Sequence, residues 1–355
     1  MMNTPASSQP VPEPRSADLL HDPVAEVIQH DAPGSAVHGS RHHLIDVGDL
    51  RDAEIERVWQ RARDLQTRDR RGISTSIFGT LRGHVVATLF FEASTRTRLS
   101  FELAAQRLGG LTLPLDVSRS SLEKSESLSD TLQTLAAMGA TMAVVRHRDN
   151  SVFGHLGSEL GLSLLNAGNG TEAHPTQALL DAFTIYEALG SLHQRTVVIA
   201  GDILHSRVAR SNARLLGRLG AQVLLCGPSE LLPQSRDLQS FAGAQIAEFE
   251  EAIPYADAIM CLRVQRERHA GAEPGDGSAT HGTQASSFLV SHGLTVERFA
   301  LAKPGCLILH PGPVNRDVEI AAALVDHPRS RILQQVRNGL YIRMATLEWI
   351  AGVLP

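Results

Sequence analysis

Apolar residues in this chain follow two patterns that alternate along its length. Short runs such as HVVATLFF (84–91) are continuously apolar and partly β-branched, as is typical of strands buried on both faces of a parallel sheet. Between the runs, apolar residues recur every three or four positions, as on one face of a helix. The runs lie at 84–91, 141–147, 162–168, 196–202, 221–228, 250–264 and 305–313. This alternation predicts parallel β/α units.

The predicted helices occupy the segments between the runs. The first is amphipathic, with Ile55, Val58, Ala62 and Leu65 at helical spacing. Glycine, which favours the end of a helix, closes two of the others. The predicted helices lie at 53–69, from Thr97 to the glycine pair 109–110, at 127–139, 151–160, 174–192 and 206–220, and at 330–355.

The strand and helix pattern restarts after the segment 174–192, which we interpret as a bridge between domains. We therefore expect an α/β protein with two doubly wound parallel-sheet domains joined by inter-domain helices. The expected domains are 41–173 plus 332–355, and 174–331. Residues 1–40 are rich in Pro, Ser and Ala and predict a disordered tail. Residues 270–287 are rich in small residues without periodicity and predict a flexible insertion.

Composition and charge narrow the class of protein. The chain has 33 Lys plus Arg against 38 Asp plus Glu, a formal charge of −5, so we expect neither nucleic acid nor an anionic membrane as a partner. It has no apolar run of roughly 18 residues and no signal-peptide core, and we expect a cytoplasmic location. The cysteines Cys226, Cys261 and Cys306 are scattered in strand-like contexts, where a buried apolar role is expected and a metal site is not.

Candidate chemistry is concentrated in FFEASTRTRLS, at the junction between the first strand and its helix. Ser94, Thr95, Arg96, Thr97 and Arg98 stand where backbone N–H groups have no intrahelical acceptor and the helix dipole is positive. The same residues would also serve as an ordinary helix cap with a solvated arginine face. Their density favours a phosphate site, because hydroxyl, amide and guanidinium donors together satisfy an anion.

The segment STRTRLSFELA resembles the carbamoyl phosphate signature of the aspartate and ornithine carbamoyltransferase family. The resemblance continues in order to the C-terminus and covers essentially everything from about residue 43, apart from the insertion. The other matching segments are VVRHRDN, NAGNGTEAHPTQALLD, GDILHSRVARSNA, CLRVQRER, HPGPVNRDVEI and NGLYIRMA. It implies a carbamoyl phosphate-binding domain followed by an amino acid-binding domain.

The resemblance assigns carbamoyl phosphate to Ser94, Thr95, Arg96 and Thr97 together with Arg146 and His174. Transfer from this donor needs an anion site beside groups that stabilise the carbonyl oxygen as it becomes negative. Arg96, Thr97, Arg146 and His174 are the expected catalytic residues. The acceptors expected for the carbamoyl amide are Gln177 and the backbone carbonyls of Gly312 and Pro313.

The resemblance also indicates which amino acid accepts the carbamoyl group. Arg207 and Arg263 match positions that bind the two carboxylates of aspartate, assisted by Gln265, whereas an isolated Arg is usually a surface ion pair. Ornithine enzymes carry HCLP where this chain has HPGP.

One segment, 118–131, looks like the family's mobile loop, although its composition alone would suit an ordinary polar loop. The resemblance implies that its Ser121 and Lys124 reach the carbamoyl phosphate site of a neighbouring subunit, Lys124 also serving aspartate. Two residues depart from the family pattern: Ser125 where Gly is usual, and Leu204 where Lys is common.

The implied activity is transfer of the carbamoyl group from carbamoyl phosphate to the α-amine of L-aspartate, an early step of pyrimidine synthesis. No cofactor is expected. The implied assembly is a homotrimer with shared active sites, alone or in a dodecamer with regulatory chains or dihydroorotase.

Three alternatives stay open at this point. One is a carbamoyltransferase for another amino acid such as ornithine, and another is a binding protein without activity. A dinucleotide-binding dehydrogenase is suggested by VVIAGDILHSR, but the chain lacks G-x-G-x-x-G there.

Overall fold

The computed structural model describes Met1 and residues 42–72, 79–115, 127–154, 156, 160–263 and 281–354. Residues Arg41–Pro355 form a compact unit that contains two parallel β-sheets. The predicted tail lies outside the described residues, as does most of the predicted insertion. In the described part of the chain, each helix is too short or too polar to cross a membrane.

The first sheet has four strands in the order β2-β1-β3-β4. Its strands are Val85–Phe90 (β1), Leu111–Leu115 (β2), Met142–His147 (β3) and Ser163–Asn169 (β4). Helices α1 (Asp52–Arg70), α2 (Thr95–Arg107) and α3 (Leu128–Ala137) belong to the same half of the chain. All seven residues of β4 are buried, including the polar Ser163, Asn166 and Asn169.

The second sheet has five strands in the order β7-β6-β5-β8-β9. Its strands are Thr196–Ala200 (β5), Gln222–Cys226 (β6), Gln245–Ile246 (β7), Ala258–Cys261 (β8) and Leu307–Leu309 (β9). Its helices are α5 (Arg207–Arg218), α6 (Phe249–Ala252), α7 (His281–His292), α8 (Val296–Ala300) and α9 (Ala322–Val325). The two parallel-sheet α/β domains predicted from the sequence are confirmed.

Two long helices join the two sheets. Helix α4 (Pro175–Leu189) follows β4 and packs against α5, and α10 (Ile332–Ile350) returns from the second sheet to pack against α1, α2 and α4. Arg61 of α1 donates two hydrogen bonds of 2.7 Å to Glu348 of α10. This pair is buried on both sides and fixes α10 to α1.

Both sheets present their carboxyl ends to one region. In the first sheet the strand order reverses between β1 and β3, and in the second between β5 and β8. Ligands of open parallel sheets bind outside the carboxyl ends of the strands at such reversals. The segments that follow β1, β3, β4, β5, β8 and β9 are therefore the ones expected to hold functional groups.

The three cysteines are buried and free. Burial raises the pKa of the Cys226 and Cys306 thiols to about 12 and raises that of Cys261 as well. Their predicted apolar role is confirmed.

Two local predictions were wrong. Residues 151–154 form a turn rather than the start of a helix over 151–160, because the Asp149 carboxylate accepts hydrogen bonds from the backbone and side chain of Ser151. Residues 281–287, predicted to belong to a flexible insertion, form the first part of α7. The end of α7 is held by Arg298, which donates to the carbonyls of Leu289 and Ser291.

Candidate active site

A cavity of about 1000 Å³ lies at the carboxyl ends of the strands. It is lined by all eleven described residues that the family resemblance assigns to the substrates. They are Ser94, Thr95, Arg96, Thr97, Arg146, His174, Gln177, Arg207, Arg263, Gly312 and Pro313. Arg98 does not line the cavity, because its backbone N–H donates to the Ser94 carbonyl at 3.1 Å and its side chain pairs with Glu102. Ser121, Lys124, Ser125 and Gln265 lie outside the described residues, so the predictions for them stay predictions.

The N-terminus of α2 opens onto the cavity. Helix α2 begins at Thr95, two residues earlier than predicted, and Ser94 occupies the N-cap position. The Ser94 side chain makes no capping hydrogen bond, so the alternative interpretation of Ser94 as an ordinary side-chain cap of α2 is not supported. The N–H groups of this first turn have no intrahelical acceptor and lie at the positive end of the helix dipole. The arrangement suits an anion.

Arg96 lies beside the turn that follows β9. A Cβ atom placed on Gly312 would lie 3.1 Å from the Arg96 Cζ, so the absence of a side chain at 312 lets the guanidinium approach the backbone. Partial burial in the cavity wall, and secondly the charge of Arg263, lower the Arg96 pKa. Two cations from different sheets thus approach each other, and an anion between them would relieve their repulsion.

Glu92 is a site residue that the sequence predictions missed. Its carboxylate accepts a 2.5 Å hydrogen bond from Arg207 and forms a 3.3 Å ion pair with Arg146. Glu92 follows β1, Arg146 belongs to β3 and Arg207 begins α5, so one carboxylate links the two sheets. Glu92 lies in the segment FFEASTR, but the sequence gives no indication that its carboxylate pairs with arginines from distant segments.

Gly168 makes room for both arginines. A Cβ atom there would lie 3.0 Å from the Arg207 Nε and 3.2 Å from an Arg146 guanidinium nitrogen, and its φ of +118° is unfavourable for other residues. Arg146 also donates to the Ala167 carbonyl at 3.2 Å and Arg207 to the Gly170 carbonyl at 3.1 Å. The end of β4 therefore orients both guanidinium groups.

His174 occupies the N-cap position of α4 at the edge of the cavity. Its backbone N–H donates to the Ser211 hydroxyl at 2.9 Å. Burial, and then the charges of Arg146, Arg343 and Arg207, place the His174 pKa well below its usual range. The imidazole is therefore neutral at physiological pH and acts as a hydrogen-bonding group rather than a cation.

Arg343 of α10 is a second residue that was missed. It lines the cavity although only 5% of its surface is exposed, and its guanidinium lies 5.1 Å from the centre of the Phe101 ring. Burial lowers the Arg343 pKa to about 10, partly offset by the Asp181 charge, so it stays protonated. The segment NGLYIRMA carried the family resemblance, but no spacing rule distinguished its arginine from a surface residue.

The turn after β9 is fixed by a buried histidine. His310 Nδ1 accepts a 2.8 Å hydrogen bond from the Gly312 N–H, so its Nε2 carries the proton that faces Glu319 Oε1 at 3.0 Å. Both side chains of this pair are fully buried. The turn that includes Gly312 and Pro313 is therefore rigidly oriented at the cavity wall.

Leu204, the other departure from the family pattern, does not line the cavity. Its backbone N–H donates to the Leu231 carbonyl at 2.9 Å, and its carbonyl accepts from Arg210.

Comparison with known proteins identifies relatives over most of the chain. Residues 42–187 match the family description "Aspartate/ornithine carbamoyltransferase, carbamoyl-P binding domain" and 193–350 match "Asp/Orn binding domain" of the same family. The aspartate carbamoyltransferase catalytic subunit of Solibacter usitatus is 44% identical over 310 residues, which are 87% of this chain and 99% of the relative. That of Maricaulis maris is 46% identical over 312 residues, covering 87% and 93%.

A solved structure extends the likeness to the fold. Aspartate transcarbamoylase from Trypanosoma cruzi, in complex with carbamoyl aspartate and phosphate, superposes with a TM-score of 0.74. It is 30% identical in sequence and the match covers 88% of this chain and 96% of that one.

Proposed function

The chain belongs to the aspartate/ornithine carbamoyltransferase family, and we propose that it is an aspartate carbamoyltransferase. It transfers the carbamoyl group of carbamoyl phosphate to the α-amine of L-aspartate and releases phosphate. The observation that carries this proposal is that eleven predicted substrate-binding residues from separate segments line one cavity. The names of the relatives and the bound molecules of the T. cruzi structure support the same reaction.

The phosphate of the donor binds at the start of α2. Ser94, Thr95 and Thr97 offer hydroxyl donors, the first turn offers backbone N–H groups, and Arg96 offers a charged fork. Phosphate is also the leaving group, so the positive potential that binds it stabilises the negative charge it gains when the bond to the carbamoyl carbon breaks.

The carbonyl oxygen of the donor faces Thr97, Arg146 and His174. When the neutral α-amine attacks the carbamoyl carbon, a tetrahedral intermediate forms and this oxygen becomes negative. Arg146 supplies positive charge, while neutral His174 donates a hydrogen bond without being consumed as an acid. Because the amine attacks the carbamoyl carbon directly, the reaction needs no covalent enzyme intermediate. The proton that the amine loses passes to the departing phosphate.

Aspartate binds on the side of the cavity formed by the second sheet. Arg207 and Arg263 provide two guanidinium groups for its two carboxylates, and Gln265 and Lys124 assist. Ornithine keeps one carboxylate but has a second amine in place of the other, and this amine would place a like charge against one of these arginines. The arginine pair therefore favours aspartate as acceptor.

The working assembly that we propose is a homotrimer in which Ser121 and Lys124 of one chain complete the site of its neighbour. We further propose the domain division 41–173 plus 332–355 for carbamoyl phosphate and 174–331 for aspartate. The packing of α10 against α1 and α2 supports assigning the C-terminus to the first domain. We expect the reaction to occur in the cytoplasm as an early step of pyrimidine synthesis.

An assay of the purified full chain tests the proposal. With carbamoyl phosphate fixed, phosphate release is measured across aspartate, ornithine and other amino acids, and the product is identified by mass. Turnover with aspartate is the expected result. Turnover with ornithine and none with aspartate would overturn the assignment of acceptor, and binding of carbamoyl phosphate without any turnover would favour a binding protein.

A further inference from the structure

A fully buried carboxylate lies behind the cavity wall. Asp181 of α4 has no exposed surface and receives three side-chain amide hydrogen bonds. Its Oδ1 accepts from Gln177 Nε2 at 2.9 Å and from Gln335 Nε2 at 2.7 Å, and its Oδ2 accepts from Asn212 Nδ2 at 2.9 Å. These donors come from α4, α10 and α5, so the carboxylate joins three helices at the base of the site.

The carboxylate determines which way the Gln177 amide points. An ionised carboxylate only accepts hydrogen bonds, so the Gln177 side chain must turn its NH₂ group toward Asp181. Its Oε1 is left on the side of the cavity that Gln177 lines. An oxygen in this position can accept a hydrogen bond from a ligand, whereas the opposite amide orientation would present only donors.

The same carboxylate also reaches the turn after β9. Gln335 donates its Nε2 to Asp181, and its Oε1 accepts a 2.9 Å hydrogen bond from the His310 backbone N–H. His310 begins the turn that carries Gly312 and Pro313 to the cavity. Asp181 therefore supports two separate sets of acceptor oxygens, the Gln177 amide and the backbone carbonyls of the turn.

We propose that Asp181 is a positioning residue that selects for the amino group of the carbamoyl donor. The inference rests on the proposed function, in which this NH₂ group meets the Gln177 oxygen and the carbonyls of 312 and 313. An NH₂ group satisfies acceptor oxygens, and a methyl group of similar size leaves them without partners. Asp181 does not touch the substrate; it acts by holding Gln177 and Gln335.

The two oxygens of residue 181 serve different partners. Oδ1 accepts from both glutamines and Oδ2 accepts from Asn212. An Asn there keeps its oxygen on the glutamines and turns its NH₂ toward Asn212, whose own Oδ1 has no hydrogen-bond partner among the described residues. A Leu removes both oxygens, so the Gln177 NH₂ loses its acceptor and the amide is free to turn a donor toward the carbamoyl NH₂.

The test compares carbamoyl phosphate with acetyl phosphate, which has a methyl group in place of NH₂. Binding of each to the full-length protein is measured by calorimetry at pH 8, for the wild type, Asp181→Leu and the control Asp257→Leu. Asp257 is a carboxylate at the opposite end of the second sheet, bonded to the Thr196 N–H at 2.9 Å, and does not line the cavity. We expect Asp181→Leu to reduce the preference for carbamoyl phosphate by about tenfold, and Asp257→Leu to leave it unchanged.

The outcome separates a positioning role from a structural one. Equal weakening of both ligands by Asp181→Leu, or no change in preference, would overturn the proposal. If Asp181→Leu does not fold, Gln177→Met tests the same link with Asp181 intact: loss of the preference supports the proposal, and full retention overturns it. Failure of the wild type to turn over carbamoyl phosphate with aspartate would instead overturn the proposed function. The acceptor assay detects that failure separately.

Discussion

Glu92 accepts a 2.5 Å hydrogen bond from Arg207 across the cavity, joining the loop after β1 to the first residue of α5. Arg207 is 4% exposed, so its charge relies on this carboxylate for compensation and orientation. In Glu92→Gln, the neutral amide keeps the shape but loses the charge-assisted bond. We expect kcat/KM for aspartate to fall by about 10- to 100-fold, as measured by steady-state kinetics at saturating carbamoyl phosphate.

A matched control removes another carboxylate from an arginine pair. Glu250 lies 2.7 Å from Arg298 in the second domain, and neither residue lines the cavity. Glu250→Gln should leave aspartate kinetics within about twofold of the wild type, because exposed pairs contribute little. Equal losses of kcat/KM in Glu92→Gln and Glu250→Gln would show that Glu92 does not act by orienting Arg207.

Gly168→Ala tests the space that β4 leaves for the two arginines. The added Cβ would lie 3.0 Å from the Arg207 Nε at a φ of +118°, so we expect displaced guanidinium groups and a loss of kcat/KM of at least about tenfold. Gly190→Ala is the control, because Gly190 also has a positive φ of +75° but no atom of the described residues lies within 4 Å of the new methyl group. That variant should lose about 1 kcal/mol of stability and keep its activity. Full activity in Gly168→Ala would contradict the crowding argument.

Arg96 and Arg207 should affect different substrates. Under the proposed function, in which Arg96 binds the phosphate and Arg207 binds aspartate, Arg96→Ala is expected to raise the KM for carbamoyl phosphate and lower kcat. Arg207→Ala should chiefly raise the KM for aspartate. Initial rates over a grid of both substrate concentrations separate the two effects. Identical changes in both KM values for each variant would argue against separate binding regions.

Lys124→Ala and Arg96→Ala test the shared site. Each variant alone should be nearly inactive, but subunit exchange between them would form trimers in which an intact Arg96 meets an intact Lys124 from the next chain. Random mixing at equal amounts predicts about a quarter of the sites restored, read as regained activity after exchange. Exchange that is confirmed by mass but restores nothing would place Lys124 in its own chain's site.

Asp181 should impose a pH dependence on stability. Burial raises its pKa to about 6, so the folded protein holds this proton more tightly than the unfolded chain does. The resulting stabilisation is complete below about pH 4 and is lost as the pH rises through 6, a change of about 3 kcal/mol. Asp181→Asn cannot ionise, so urea unfolding from pH 4.5 to 7.5 should show the variant gaining stability relative to the wild type as pH rises. Parallel pH curves for the two proteins would contradict this.

The apolar runs were sufficient to predict where most strands lie along the chain. Strands that are covered on both faces are rich in apolar residues, which makes them recognisable in the sequence. Strand β2 was not predicted. It lies at the sheet edge and contains Pro114, so its apolar pattern is weaker than that of the buried strands. The turn at 151–154 was misjudged because Asp149 offers the backbone a competing hydrogen bond.

The site residues that could be predicted stand in motifs at strand ends, where a local sequence signal exists. Glu92, Asp181 and Arg343 could not be assigned in this way, since what defines them is contact with residues from distant segments, such as Arg207 for Glu92. An isolated acidic residue in a sequence has no visible partner until the chain is folded.

The anchoring of α10 to α1 has a consequence for synthesis. The Arg61 and Glu348 pair, and the Gln66 side chain bonded to Asn338 at 2.8 Å, join α1 to α10, which are far apart in the sequence. A nascent chain that ends before residue 332 possesses the strands of both sheets that the structure describes but lacks α10, the helix that packs against α1, α2 and α4. The two sheets therefore precede α10 in synthesis, and the cavity, which is lined by Gln335 and Arg343, is completed only after residues 332–350 have been synthesised.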